Sequence, residues 1–303
     1  MNPHDPAHPV WILANGRSLS LDRPRVIAIL NTTPDSFSDG GDHTDPDRAL
    51  AAALRFIRDG ADMLDIGGES TRPGAARVDE AEQIRRTVPV IRALRESGVQ
   101  TPISIDSTRA AVAHAALRAG ADAINDVSGG TEDASILPLA ARLGCGLILM
   151  HRLAPPDGDR YSDQYDQPPA YRDVVEEVAE ALRDRATAAL ASGVSPESIV
   201  LDPGLGFGKS VEQNAELVRA TPRLCRLGFP LLGAASRKSF VARLSMDDRD
   251  EAPPPPTDRL GGSVAFSLTQ LTGGIRLFRV HDVRAQASAL RVAWRLAPGE
   301  GPK

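Results

Sequence analysis

Short apolar runs recur along the chain, and longer stretches with helical spacing separate them. The runs are VIAIL (26–30), DMLDI (62–66), PISID (102–106), DAIND (122–126), GLILM (146–150), SIVLD (198–202), PLLGA (230–234) and IRLFRV (275–280). The helical stretches cover 46–59, 79–97, 109–119, 132–143, 171–192, 211–221, 257–273 and 282–296. In the second of them Ile84, Val88, Ile91 and Leu94 share one helical face, and Pro89 is a kink point. Strands alternating with helices predict parallel β/α units. The length of 303 residues suits a closed (β/α)8 TIM barrel better than an open doubly wound sheet, which stays as the alternative. Ahead of the first strand, WILANGRSLSLD carries an Asn15-Gly16 turn between two extended runs. It predicts an N-terminal β-hairpin covering the barrel floor.

Two stretches break the rhythm. RLAPPDGDRYSDQYDQPPA (152–170) is a long polar loop after the fifth strand, and SMDDRDEAPPPPTD (245–258) interrupts the seventh unit. Both read as surface insertions. Composition narrows the class of partner. Thirty-five basic and forty acidic residues leave a net charge of −5, which argues against nucleic acid or an anionic membrane as partner. No run reaches the ~20 apolar residues of a membrane span, and the N-terminus lacks a signal-peptide pattern. Cys145 and Cys225 fit no metal or CxxC spacing and read as buried free thiols of a reducing compartment. A cytoplasmic protein is expected.

The ends of the strands carry the chemistry, because a (β/α)8 enzyme works at that rim. They present Asn31, then GGESTRPGA, Asp106, Asn125 with Asp126, His151, Asp202, SRKS (236–239), and Arg279 with His281. Asp106, Asn125, Asp202 and Lys238 suit a flat nitrogen-rich heterocycle, whose amino-pyrimidine edge donates to carboxylates. Asn31, Ser70, Thr71, Arg72, Arg279 and His281 suit an anion such as a pyrophosphate. Only Lys209, Lys238 and Lys303 are lysines in an arginine-rich chain, so Lys238 reads as a point donor where a fork does not fit. DPGLGFGKS (202–210) misses the spacing of an ATP-binding loop, and its glycines read as turn and close-packing positions. The first rim loop, NTTPDSFSDGG (31–41), is rich in hydroxyls and carboxylates and ends in two glycines that read as a flap hinge.

With these segments placed, the sequence resembles the dihydropteroate synthase family. The resemblance rests on ILNTTPDSFSDGG (29–41), DIGGESTRPGA (65–75), ISID (103–106), INDVSGG (124–130), LMH (149–151), LDPGLGFGK (201–209), SRKSF (236–240) and RVHDV (279–283). It implies one (β/α)8 pterin-binding domain over 26–297, after a hairpin segment at 1–25 and before a disordered tail at 298–303. It also implies a transferase of the pterin-methyl group. In that reaction the amine of para-aminobenzoate displaces pyrophosphate, with Mg2+, from 6-hydroxymethyl-7,8-dihydropterin pyrophosphate.

By position, Asp106, Asn125, Asp202 and Lys238 would hold the pterin, with Met150 packed against it. Asn31 would meet the metal and pyrophosphate, and Ser70, Thr71, Arg279 and His281 the phosphate oxygens. Phe37, Arg72, Pro73 and Ser239 would bind para-aminobenzoate. The reacting centre falls to Phe37 as lid, Asp39 as charge partner, Arg72 and Lys238. The family implies a homodimer as well.

The match lapses after His151, where many members continue Met-Gln-Gly and this chain has Arg152, Leu153 and Ala154. That departure and the proline run at 253–256 are expected to touch no assigned residue. A pterin-dependent methyltransferase has no use for a pyrophosphate site. A non-catalytic pterin binder is the rival of another class, and pterin binding without turnover would identify it.

Overall fold

The apolar run Arg25–Asn31 forms β3, and its five central residues are buried because the strand has barrel interior on one face and helices on the other. The computed structural model describes residues 10–32 and 46–297. Seven further parallel strands follow: β4 (Met63–Gly67), β5 (Ile103–Asp106), β6 (Ala123–Asp126), β7 (Gly146–Met150), β8 (Ile199–Asp202), β9 (Leu232–Gly233) and β10 (Leu277–Val280). Each pairs with its neighbours in chain order, and β10 returns to β3. Between β8 and β9 the pairing shrinks to one bridge, Leu201 to Leu231, with Leu201 N donating to the Pro230 carbonyl at 2.9 Å. That bridge closes the barrel.

The helices that cover it are α1 (Pro46–Arg58), α2 (Glu80–Glu96), α3 (Ala110–Ala119), α4 (Ile136–Leu143), α5 (Val174–Ala191), α6 (Val211–Arg219), α7 (Thr221–Leu224), α8 (Ser239–Leu244), α9 (Leu260–Thr272) and α10 (Val283–Leu296). Helix α2 runs continuously through Pro89. Several expected boundaries move, and three of the shifts have a local cause. The stretch at 211–221 divides into α6 and α7, where Pro222 opens a new first turn. Helix α9 starts after a single 3-10 turn at Pro256–Asp258. The six residues of α8 are too few for a readable period, and they lay inside no expected helix. No helix among the described residues is long and apolar enough to cross a membrane.

The hairpin is β1 (Val10–Ile12) against β2 (Ser18–Ser20). Asn15 and Gly16 both hold positive φ, 59° and 69°, as a two-residue turn matched to strand twist demands. Its apolar side chains plug the lower end of the barrel. Trp11, Leu13, Leu19 and Leu21 pack with Ile27, Met63, Ala123, Ile148, Val200, Leu232 and Leu277, which project inward from all eight strands except β5. The Trp11 indole N–H donates to the Ser198 carbonyl at 2.8 Å. The buried Asp122 carboxylate fastens the turn, accepting from Asn15, Arg17 and Arg95 and from Ile103 N. Trp11→Ala is therefore expected to destabilise the fold by about 3–5 kcal/mol while leaving kcat near wild type, since the floor is remote from the rim. Denaturant unfolding beside steady-state kinetics checks this, and a cost below about 1 kcal/mol would mean the plug is dispensable.

Candidate active site

At the carboxyl ends of the strands lies a cavity of about 330 Å3, walled by residues from most of the rim loops. Asn31, Ser70, Thr71, Arg72, Pro73, Asn125, Met150, Asp202, Lys238, Ser239, Arg279 and His281 all line it. Asp106 does not. It sits behind Arg279, on a second and much smaller cavity. Phe37, Asp39 and the glycines of the first rim loop lie outside the described residues. Asp126 turns to local work, its oxygens accepting from Ser128 and Gly130 N.

The centre of the polar network is a residue that sequence reasoning missed. Asp65, on β4 and 1% exposed, accepts from Ser104 Oγ at 2.6 Å, Asn125 Nδ2 at 3.1 Å and Arg279 Nε at 2.6 Å. Arg279 Nη2 donates to Asp106 Oδ2 at 2.7 Å, so one guanidinium bridges two buried carboxylates. Arg279 therefore belongs to the carboxylate group as much as to the anion group, and the two sets of residues meet there. A carboxylate inside an otherwise apolar strand was the available signal, because such a group is buried only with partners. Burial drives Asp106 up to about 7, against the pull of the Arg279 charge and with further push from Asp65. For Arg279 burial works against the charge, and Asp65 and Asp106 outweigh it.

The opposite wall is built by the glycine-rich turn after β8. Asp202 Oδ1 accepts from Gly204 N at 2.7 Å, and burial raises its pKa against the nearby Lys238. Lys238 donates to the Leu205 carbonyl and stands over the Phe207 ring, 4.5 Å from its centre. Burial lowers its ammonium to about 8 despite the attraction of Asp202. Lys209 is fully buried and donates to the carbonyls of Gly204 (2.9 Å) and Phe207 (2.8 Å), with His151 Nδ1 at 3.0 Å. It is a staple of this turn and does not line the large cavity. Burial and the Lys209 charge bring His151 down to about 3, so its ring is neutral and able to accept.

Backbone strain sets the seventh loop. Arg237 has φ 60°, held by a salt bridge to Asp282 and by its N–H on Ser263 Oγ. The next residues, Lys238 and Ser239, are thereby presented to the cavity. His281 is lowered to about 3 by burial and then by Arg279 and Arg237, so it is neutral at ordinary pH. Ser236 Oγ lies 3.2 Å from its Nδ1 and also accepts from His281 N. A Ser236 hydroxyl donating to Nδ1 leaves the proton on Nε2, facing away.

The loops set aside as surface insertions reach the site, which corrects the expectation that they touch no assigned residue. Tyr161 and Pro256 line the large cavity, as do Phe207 and Arg259. Ser162 N donates to Ser239 Oγ at 3.1 Å, so the loop after β7 orients the hydroxyl assigned to para-aminobenzoate while leaving its proton to donate. Segments without apolar periodicity give no sign of where they fold back. The thiols take no part: Cys145 is buried and pushed up to about 12, and Cys225 is half-buried and unpaired.

Comparison with known proteins bears on what such a cavity holds. A family model described as pterin binding enzyme matches residues 27–281. The dihydropteroate synthase of Synechocystis is 45% identical over 277 residues, 90% of this chain and 91% of the relative. The chain belongs to the dihydropteroate synthase family of pterin-binding enzymes. Its activity is the transferase activity of that family. The dihydropteroate synthase of Xanthomonas albilineans, solved with 4-aminobenzoic acid, superposes with a TM-score of 0.83 at 43% identity, covering 94% of this chain and 99% of that one. A structure of the same enzyme with 7,8-dihydropteroate gives 0.80 at 41% identity, covering 94% and 100%. For a dihydropteroate synthase, the expected (β/α)8 barrel with its hairpin is the fold found.

Proposed function

We propose that this chain condenses 6-hydroxymethyl-7,8-dihydropterin pyrophosphate with para-aminobenzoate, and that the two walls of the cavity divide the work. The observation that carries this is one cavity lined by the Asp202 carboxylate and the Asn125 amide together with arginines, His281 and the hydroxyls of Ser70 and Thr71. The amine nitrogen forms a bond to the exocyclic methylene carbon as the carbon–oxygen bond to pyrophosphate breaks. The amine then loses its proton to solvent. Asp202 accepts from the amino-pyrimidine edge, and Asp106, set behind Arg279, joins the grip through the Oδ2 that Arg279 also holds, while Asn125 and Lys238 meet the ring and Met150 packs on its face. Their negative charge also stabilises positive charge spreading from the methylene into the pterin. Arg279 reaches both walls, since among the described residues its Nη1 is unspent, and it offers that N–H to the leaving group. Thr71 and Ser70 add hydroxyl donors, and His281 adds Nε2–H as a neutral donor. A neutral aromatic amine needs no strong base, and an imidazole brought down to about 3 would be a poor one.

Phe37, Arg72, Pro73 and Ser239 would seat the benzoate, with Asp39 the charge partner at the reacting centre. The donor set also fits Mg2+. Among the described residues no cluster of acids could hold a metal by itself, and no hydrogen bond occupies the Asn31 amide. Mg2+ binds well through one protein oxygen when substrate phosphates and waters complete its shell. Asn31 would hold it, and the ion would neutralise charge on the departing pyrophosphate. A homodimer is part of the same reading, as membership of the family implies.

The pH profile of kcat/KM for the pterin substrate tests the assignment. Asp106 must be ionised to accept, so activity falls as pH drops below about 7. Lys238 must be protonated to donate, so activity falls as pH rises above about 8. A bell with its maximum between those values is expected. A profile flat across neutral pH contradicts the pterin assignment.

A further inference from the structure

We propose that the small cavity between Asp106 and Arg152 binds one ordered water, which makes Arg152 a positioning residue for the pterin-gripping carboxylate. The inference rests on the assignment of Asp106 to the pterin. The cavity measures about 10 Å3, the space of a single water, and its wall includes Thr71, Arg77, Asp106, Ser107, Thr108 and Arg152. Two buried polar atoms on that wall have no partner among the described residues: Asp106 Oδ1 and Arg152 Nη1. Both side chains are more than nine-tenths buried, at 5% and 6% exposure. An unmade hydrogen bond on a buried charged group is costly, and here an unused donor and an unused acceptor face one polar space.

A single water resolves both. It accepts from Arg152 Nη1–H and donates to Asp106 Oδ1. Its second proton has acceptors in the hydroxyl oxygens of Ser107 and Thr108. Those hydroxyls spend their own protons on Gln83 Oε1, at 2.9 Å, and on Glu132. Arg152 is itself anchored, with Nη2 2.5 Å from Glu132 Oε1, while Arg77 donates to both oxygens of Glu132. The loop after β7 is also tied to the loop after β4, as Gly74 N donates to the Pro156 carbonyl at 2.8 Å. The departure from the family pattern after His151 thus connects to the pterin wall through one molecule of solvent.

The water donates to the ionised form of Asp106 and so favours it. The charged groups around Asp106 are Asp65 and Glu69 from β4 and its loop, Asp126 from β6 and Arg279 from β10. Arg77, Arg152 and Glu132 lie on the far side of the small cavity. Removing the Arg152 donor releases the water and lets the carboxyl pKa climb.

The test compares wild type with Arg152→Met across pH, with dihydropterin pyrophosphate, Mg2+ and para-aminobenzoate as probes. The variant keeps the Arg77–Glu132 pair. Its KM for the pterin substrate is expected to rise on the acid side, about tenfold for each unit of pKa gained by Asp106. The two enzymes should converge at alkaline pH, with kcat unchanged. A KM change equal at every pH, or none, overturns the proposal. Asp106→Asn should raise KM and erase the effect of Arg152→Met. If Asp106→Asn leaves KM unaltered, the pterin assignment fails and the kinetic role proposed for Arg152 fails with it. The water site is then judged separately from a high-resolution crystal structure of wild type. That map should place a solvent peak within about 2.7–3.2 Å of Asp106 Oδ1 and Arg152 Nη1, and its absence overturns the site even if Arg152→Met does not fold.

Discussion

Arg279→Met is expected to lower kcat/KM for the pterin substrate by about 10³-fold and to destabilise the fold by about 3–5 kcal/mol at neutral and alkaline pH. The guanidinium bridges Asp65 and Asp106, and methionine leaves both buried without that cation. Burial already holds Asp106 up to about 7 with Arg279 opposing the rise, so its loss lifts that value further. A carboxyl whose folded pKa lies above its unfolded value weakens the fold as pH climbs past the unfolded value. Acid relieves the variant by protonating Asp106. Unfolding measured at acid and alkaline pH should therefore show a stability gap that narrows at low pH. A gap equal at both, or activity within tenfold of wild type, would remove Arg279 from the centre of the site.

Gly204→Ala should be nearly as damaging for a different reason. A Cβ there would lie 1.9 Å from the His151 carbonyl oxygen, and the backbone holds φ +67°. Overpacking of about 1–3 kcal/mol adds to about 1–2 kcal/mol for a left-handed non-glycine residue, so a loss of about 3 kcal/mol is expected. The turn cannot yield without cost, because Gly204 N holds Asp202 and the Gly204 carbonyl accepts from Lys209. Pterin affinity should fall at least about tenfold, which corresponds to 1.4 kcal/mol. Gly228→Ala is the control, since φ there is +84° but nothing lies within 4 Å of the added Cβ. It should lose only the backbone cost and keep its affinity. Equal outcomes in the two variants would mean that contact with His151 does not matter.

Much of the barrel is legible in the chain because strands buried on both faces must be continuous apolar runs. The residue after such a run then falls on the rim, which is how Asn31, Asp202, His281 and the SRKS loop come to the same end. What escaped was set by contacts distant in sequence. Asp65 looks like a blemish in a strand until Arg279, 214 positions away, arrives to pair with it. Tyr161, Ser162, Pro256 and Arg152 sit in polar or proline-rich loops whose composition says only that they are exposed. Their return to the cavity depends on individual hydrogen bonds, such as Ser162 to Ser239, that leave no periodic trace. Lys209 stood out only as one of three lysines, and its full burial beneath the glycine turn follows from carbonyl positions that only the folded backbone supplies.

The most direct test of the account is pyrophosphate release from dihydropterin pyrophosphate with Mg2+, measured with and without para-aminobenzoate and followed by mass analysis of the product. Release is expected to depend on para-aminobenzoate and to give a product with the mass of 7,8-dihydropteroate. Tight pterin binding with no benzoate-dependent release would contradict it and identify a pterin-binding protein without turnover.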